Sequence, residues 1–224
     1  MIKRLLCITT LWALIAIPGF AADFELGKIT ESAPDDVSSA ISELLSGEAL
    51  QLKDGDKPQY SFWFVKELPL KAAPESSKKA LDQIADVTLA GVIAVHVAHR
   101  DYRDDEIYDD IYTMRFGVRP EDGDHQGTSE FLYFLVLTPV QLDEDVEGFD
   151  DLDELAEVSG EETSTGHPIV LSIRPVAEPA AELPTLTTPV DKHKAMQLTL
   201  PAKIKGGDTT QVTFEIVYEG IGHL

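Results

Sequence analysis

Asp110-Ile111-Tyr112-Thr113-Met114-Arg115-Phe116-Gly117 alternates along its length, and Phe131-Leu132-Tyr133-Phe134-Leu135-Val136-Leu137 is apolar almost throughout. Alternation with a period of two is the signature of a half-buried strand, and a short continuous apolar run is that of a strand covered on both faces. Val92 to His99 is a third such stretch, rich in β-branched residues, with Ile93, Val95 and Val97 on one face. Working outward, strands are expected at Phe24–Ile29, Leu50–Lys53, Tyr60–Val65 and Ile169–Ile173, with Asp54-Gly55 as a turn. Helical spacing of Val37, Ala40, Ile41, Leu44 and Leu45 after Pro34 predicts one helix, with Gly47 at its C-cap. Shorter helices are expected from Pro74, carrying Ala80, Leu81 and Ile84, and around Leu152, Leu155 and Val158. Helices do not alternate regularly with strands, which argues against a doubly wound parallel sheet. The expected fold is therefore mainly β: an antiparallel β-sandwich or barrel-like domain of about eight to ten strands with two or three short helices.

Residues 1 to 21 read as an export signal: Lys3 and Arg4, an apolar run from Leu5 to Ile17, then Pro18 and the small residues Gly19 and Ala21. Cleavage after Ala21 or Ala22 fits equally, and the run is too short to span a bilayer. A periplasmic or extracellular location is expected. Residues 22–224 are expected to form a single β-rich domain, with a Pro-rich extended arm at 175–194 and a closing hairpin at 195–221 around Gly206-Gly207-Asp208. The one cysteine, Cys7, lies in the leader, so the mature chain has no disulfide, thiol nucleophile or cysteine metal ligand.

The 224 residues carry 40 acids against 18 Lys plus Arg, a formal charge of −22, and loss of a leader holding two cations and no acid takes this to −24. Phosphate binding needs a basic surface, so nucleic acid is excluded as a partner and an anionic membrane surface is disfavoured. At 43% hydrophobic the chain is nonetheless globular.

Two acidic loops could carry chemistry. Asp143, Asp145, Glu147, Asp151 and Glu154 occupy positions 1, 3, 5, 9 and 12 of a twelve-residue loop with Gly148 at position 6, the pattern of an EF-hand calcium site. Against it stand Glu at position 5, Asp150 where an apolar residue belongs, and a preceding strand instead of a helix. The loop is otherwise a solvated acidic connector. Asp122, Asp124 and His125, joined by His167, offer ligands to a divalent metal or a general base for a metal-dependent hydrolase. The alternative is a structural turn, since Asp-Gly and Gly-Asp are ordinary turn pairs. His96 and His99 lie on opposite faces unless the strand bends. Tyr60, Trp63, Tyr102, Tyr108 and Tyr112 could form a platform for a glycan or peptide, although Trp63 among Phe62 and Phe64 also suits a core.

Ile111 to Gly117 followed by Pro120, Asp122-Gly123-Asp124-His125, Gly127 and Thr128, and then Ser164-Thr165-Gly166-His167-Pro168 and Val170-Leu171-Ser172, resembles a family of exported bacterial proteins. In that family a tyrosine-bearing strand leads to a Gly-Asp/Asn-His loop, and a Gly-x-His-Pro turn precedes a strand. The resemblance covers Tyr60 to Ile173. It implies that the loops at His125 and His167 matter to the architecture and brings no catalytic role. The function expected from all these features is a non-enzymatic binding or envelope module for a glycan, peptide or protein partner, possible calcium stabilisation included, with the hydrolase as the alternative.

Overall fold

The computed structural model describes residues 24–100, 106–120, 131–161, 163–189 and 193–219. In chain order these form β1 (Glu25–Ile29), α1 (Ser39–Ser42), β2 (Ala49–Asp54), β3 (Lys57–Phe64), β4 (Leu68–Leu70), 3-10 turns at Ser77–Lys79 and Leu81–Gln83, β5 (Leu89–Val95), β6 (His99–Arg100) and β7 (Glu106–Ile107). They continue with β8 (Ile111–Val118), β9 (Tyr133–Pro139), α2 (Leu152–Glu161), β10 (Ile169–Pro175), β11 (Thr185–Thr187), β12 (Lys194–Ile204) and β13 (Thr209–Glu219). The protein is mainly β, as its alternating runs require.

Eleven strands make one sheet, ten in the order β1-β2-β3-β5-β8-β9-β10-β13-β12-β11 and the eleventh, β4, beside β12, while β6 and β7 pair apart. Every pairing is antiparallel except one. β4 runs parallel to β12, with Leu68 opposite Ala202 and Leu70 opposite Ile204. That pair requires the sheet to curl. β3 and β12 lie six strand steps apart, about 29 Å across a flat sheet at about 4.8 Å per step. The chain from Phe64 to Leu68 reaches at most about 14 Å. Curling brings the far strands together, and Tyr218 of β13 stacks on Phe24 with ring centroids 5.5 Å apart. The main core fills the inside of the curl, with Phe62, Ile93, Tyr112, Met114, Phe116, Leu135 and Phe214 all buried.

α2 lies outside, where Leu155 packs on Val136 and Val170. Ser159 on the same helix donates to the Leu137 carbonyl at 2.7 Å and accepts from the Ile169 amide at 3.0 Å. β9 is thus covered on both faces, inside by the main core and outside by α2. This is the physical reason for its unbroken apolar run.

Three elements are shorter than their periodicity suggests. The first helix spans only Ser39–Ser42, because the backbone after Glu43 bonds to β3 and its extension instead: Ser46 N–H to Phe64 O at 2.8 Å and Lys66 N–H to Leu44 O at 2.8 Å. The segment after Pro74 forms two 3-10 turns, which still bury Ala80, Leu81 and Ile84. The strand expected to reach His99 stops at Val95, and the chain bends at His96 and Val97. Gly91 marks an irregularity in the β5–β8 pairing. A β-carbon there would collide with the Trp63 carbonyl and lie 2.9 Å from Phe64 Cα, so the close β3–β5 approach demands glycine.

Candidate functional site

Arg115 sits mid-strand in β8, and its side chain is only 1% exposed. A buried guanidinium is tolerable only when all its donors are met and its charge is paired. Nε and Nη2 grip the two oxygens of Asp143 at 2.6 and 2.8 Å, a bidentate ion pair. The other three N–H groups donate to backbone carbonyls: Nη2 to Asp145 at 2.6 Å, and Nη1 to Val87 at 2.9 Å and Val146 at 3.2 Å. All five donors of the fork are used. Thr113 Oγ1 adds a 2.6 Å bond to Asp143, and the Phe149 ring centroid lies 5.5 Å from Arg115 Cζ. Gly148 has φ +66°, and a β-carbon on it would run into the guanidinium. That glycine is needed twice, for its backbone angle and for its missing side chain.

The Arg115 clamp fixes part of the lining of a cleft of about 560 Å³ formed by residues 43–44, 65–69, 85–89 and 146–147. Val87 and Val146 both line it, and both carbonyls are held by the same Nη1. Leu44 and Val146, each 38% exposed, offer apolar surface there. Val87 has φ +57°, a conformation that costs a β-branched residue roughly 1–3 kcal/mol. It persists because its N–H bonds Phe116 O at 2.8 Å, its carbonyl bonds Arg115, and the neighbouring Asp86 carboxylate accepts from the Val118 amide at 3.1 Å.

A second cleft, of about 760 Å³, lies beside the Pro-rich arm. Gln197 and Glu215 in its lining hold that arm. Glu215 accepts from Thr187 and Gln197, each at 3.0 Å, and pairs with Arg174 at 3.2 Å, while Gln197 accepts from the Ala180 amide at 2.7 Å. At its edge Tyr133 donates to Asp82, and burial followed by that bond pushes the phenol up to about 12.

Each acid singled out between 143 and 154 has a definite place in the structure. Asp143 is turned inward to Arg115, with Asp145 contributing its carbonyl, and Glu147 lines the first cleft. Asp151 and Glu154 cap α2: Asp151 Oδ1 accepts from the Glu154 amide at 3.0 Å, and Glu154 Oε2 accepts from the Asp150 amide at 2.8 Å. Among the described residues no three Asp, Glu or His side chains gather as a metal-ligand group. Asp122, Asp124 and His125 lie outside the described residues. His167 is exposed, in a turn where its amide bonds Thr165 Oγ1 at 3.3 Å and its carbonyl accepts from Thr163 at 2.9 Å. The aromatic platform is not formed, because Tyr60, Trp63 and Tyr112 are buried in the main core. Tyr108 is exposed, and Tyr102 lies outside the described residues.

His96 and His99 face apart. His96 Nε2 is 2.9 Å from Ser61 Oγ, and His99 Nε2 is 2.8 Å from the Tyr60 hydroxyl. Burial holds both imidazoles below the ordinary histidine range and pushes the Tyr60 phenol up. Sequence reasoning missed Arg115 altogether. Its signal was a lone cation between Met114 and Phe116, ahead of an acidic run that could neutralise it. No family model, curated protein or solved structure matches this chain.

Asp143→Ala leaves the buried guanidinium unpaired and lowers stability by about 3–5 kcal/mol. Glu147→Ala, four residues on and exposed, stays within about 0.5 kcal/mol. Urea unfolding of both variants measures the contrast, and equal losses would refute the central role of the pair. For His99, the folded pKa lies below the unfolded value of about 6.5, so the unfolded chain takes up the proton first. The stability this site contributes is present above about pH 6.5 and is lost as pH falls toward the folded pKa. The advantage of wild type over His99→Gln therefore shrinks from about pH 7.5 to about pH 5 in parallel unfolding series. A constant difference would show that the imidazole takes up its proton at the same pH in both states.

Proposed function

We propose that the chain is an exported, non-enzymatic binding module that takes a segment of a partner protein in the cleft lined by Leu44, Val87 and Val146. The observation that carries this reading is the left-handed Val87 in the cleft wall. Backbone strain is retained where the surroundings over-determine it, and such positions cluster at ligand clamps. Here the strained residue is clamped by a buried arginine that also holds the carbonyl of Val146 in the same lining. The leader at residues 1 to 21 supports export to the periplasm or cell exterior. No helix among the described residues is long and apolar enough to cross a membrane. The acid excess suits a module that stays dispersed in a salty medium, where screening blunts self-repulsion.

Expression of the full chain in a Gram-negative host is expected to deliver a periplasmic product beginning at Ala22 or Asp23. Mass spectrometry reads that terminus, and a cytoplasmic product retaining Met1 would sink the export reading. Titration of the nitrogen-15-labelled protein with isobutylamine, a small amphiphilic probe, is expected to shift the amides of Leu44, Val87 and Val146 before others, and less so in Leu44→Asn. Shifts concentrated in the cleft beside the arm would instead transfer the binding role there.

A further inference from the structure

We infer that the occupant of this cleft is a cationic apolar stretch of polypeptide, an extended segment in which lysine or arginine alternates with aliphatic side chains. The inference rests on the binding-module reading and names the partner's chemistry. The cleft surface is two-part. Leu44, Val65, Leu89 and Val146 supply apolar contact, and the exposed Leu44 and Val146 are surface that a partner would remove from water. Glu43, Glu67, Asp86 and Glu147 supply four carboxylates against a single cation, Lys66. That cation is already engaged, since Lys66 Nζ donates to the Glu43 carbonyl at 2.7 Å. An anionic segment would meet uncompensated repulsion, whereas a cationic one finds acids in all four segments of the lining. Asp86 stands beside Val87 and Glu147 beside Val146, so the two backbone positions held by Arg115 also set the spacing of the acids. The chain's overall negative charge draws a cation in from a distance, while the local rim decides where it stops.

Three peptides of one design test this: leucine alternating with lysine, with glutamine, and with glutamate. Each is titrated into the nitrogen-15-labelled mature chain. The lysine peptide is expected to shift the cleft amides and bind about tenfold more tightly than the glutamine peptide, as two or three exposed ion pairs allow. The glutamate peptide is expected not to bind. The triple variant Glu67→Gln, Asp86→Asn, Glu147→Gln should lose that tenfold. The triple variant Asp153→Asn, Glu157→Gln, Asp208→Asn changes net charge equally away from the cleft and should stay within about twofold. The charge inference is overturned, with the cleft still a binding site, if the glutamine or glutamate peptide binds there as well as the lysine peptide. Equal losses from both triple variants overturn it in the same way. If no peptide shifts the cleft amides, the binding-module reading itself fails.

Discussion

A guanidinium almost wholly removed from water constrains everything around it. Arg115 has five N–H donors and each has an acceptor, two on Asp143 and three on the backbone of Val87, Asp145 and Val146. The pair's attraction is offset by the cost of desolvating both charges, so its net stabilisation is small while the penalty for breaking it is large. Its main effect is on specificity of arrangement. Two surface segments far apart in sequence must present their carbonyls at fixed points. Val87 is bent into a left-handed conformation and Gly148 must lack a side chain in order to do so.

The same constraint orders the acidic run. A stretch so rich in carboxylates would by itself favour a solvated, self-repelling coil. Instead Asp143 enters the interior, Phe149 lies against the guanidinium, and Asp151 with Glu154 closes the N-terminus of α2. α2 in turn lays Leu155 over Val136 and ties Ser159 to the backbone of β9 and the start of β10. Clamp, helix and covered strand form one continuous path from the cleft wall to the outer face of the sheet. The cleft's shape therefore rests on buried structure, while Leu44, Val146 and Glu147 in its lining stay exposed.

Much of the fold was legible because strand periodicity is local. Tyr112, Met114 and Phe116 point into the curl because side chains alternate across a strand, and Phe131 to Leu137 is apolar on both faces because both faces are covered. Helix ends were not legible. Val37 to Leu45 has helical spacing, yet Ser46 and Lys66 reach across to Phe64 and Leu44, and pairing with the sheet displaces the last helical turn. The parallel β4–β12 pair was equally hidden, since nothing near Leu68 names Ala202 as its neighbour.

At the cleft the division is sharper. Sequence alone determined the charge balance, the alternating strands and the absence of cysteine after Cys7. It also offered two chemistries for the acids, because spacing along a loop says which carboxylates can converge and not what they converge on. Tertiary structure decided that Asp143 meets Arg115 from 28 residues away, that Gly148 makes room for a guanidinium, and that Tyr60, Trp63 and Tyr112 face the core. The reason is physical: a buried charge takes the partner that the curled sheet brings within hydrogen-bond reach, and only the closed fold sets that distance.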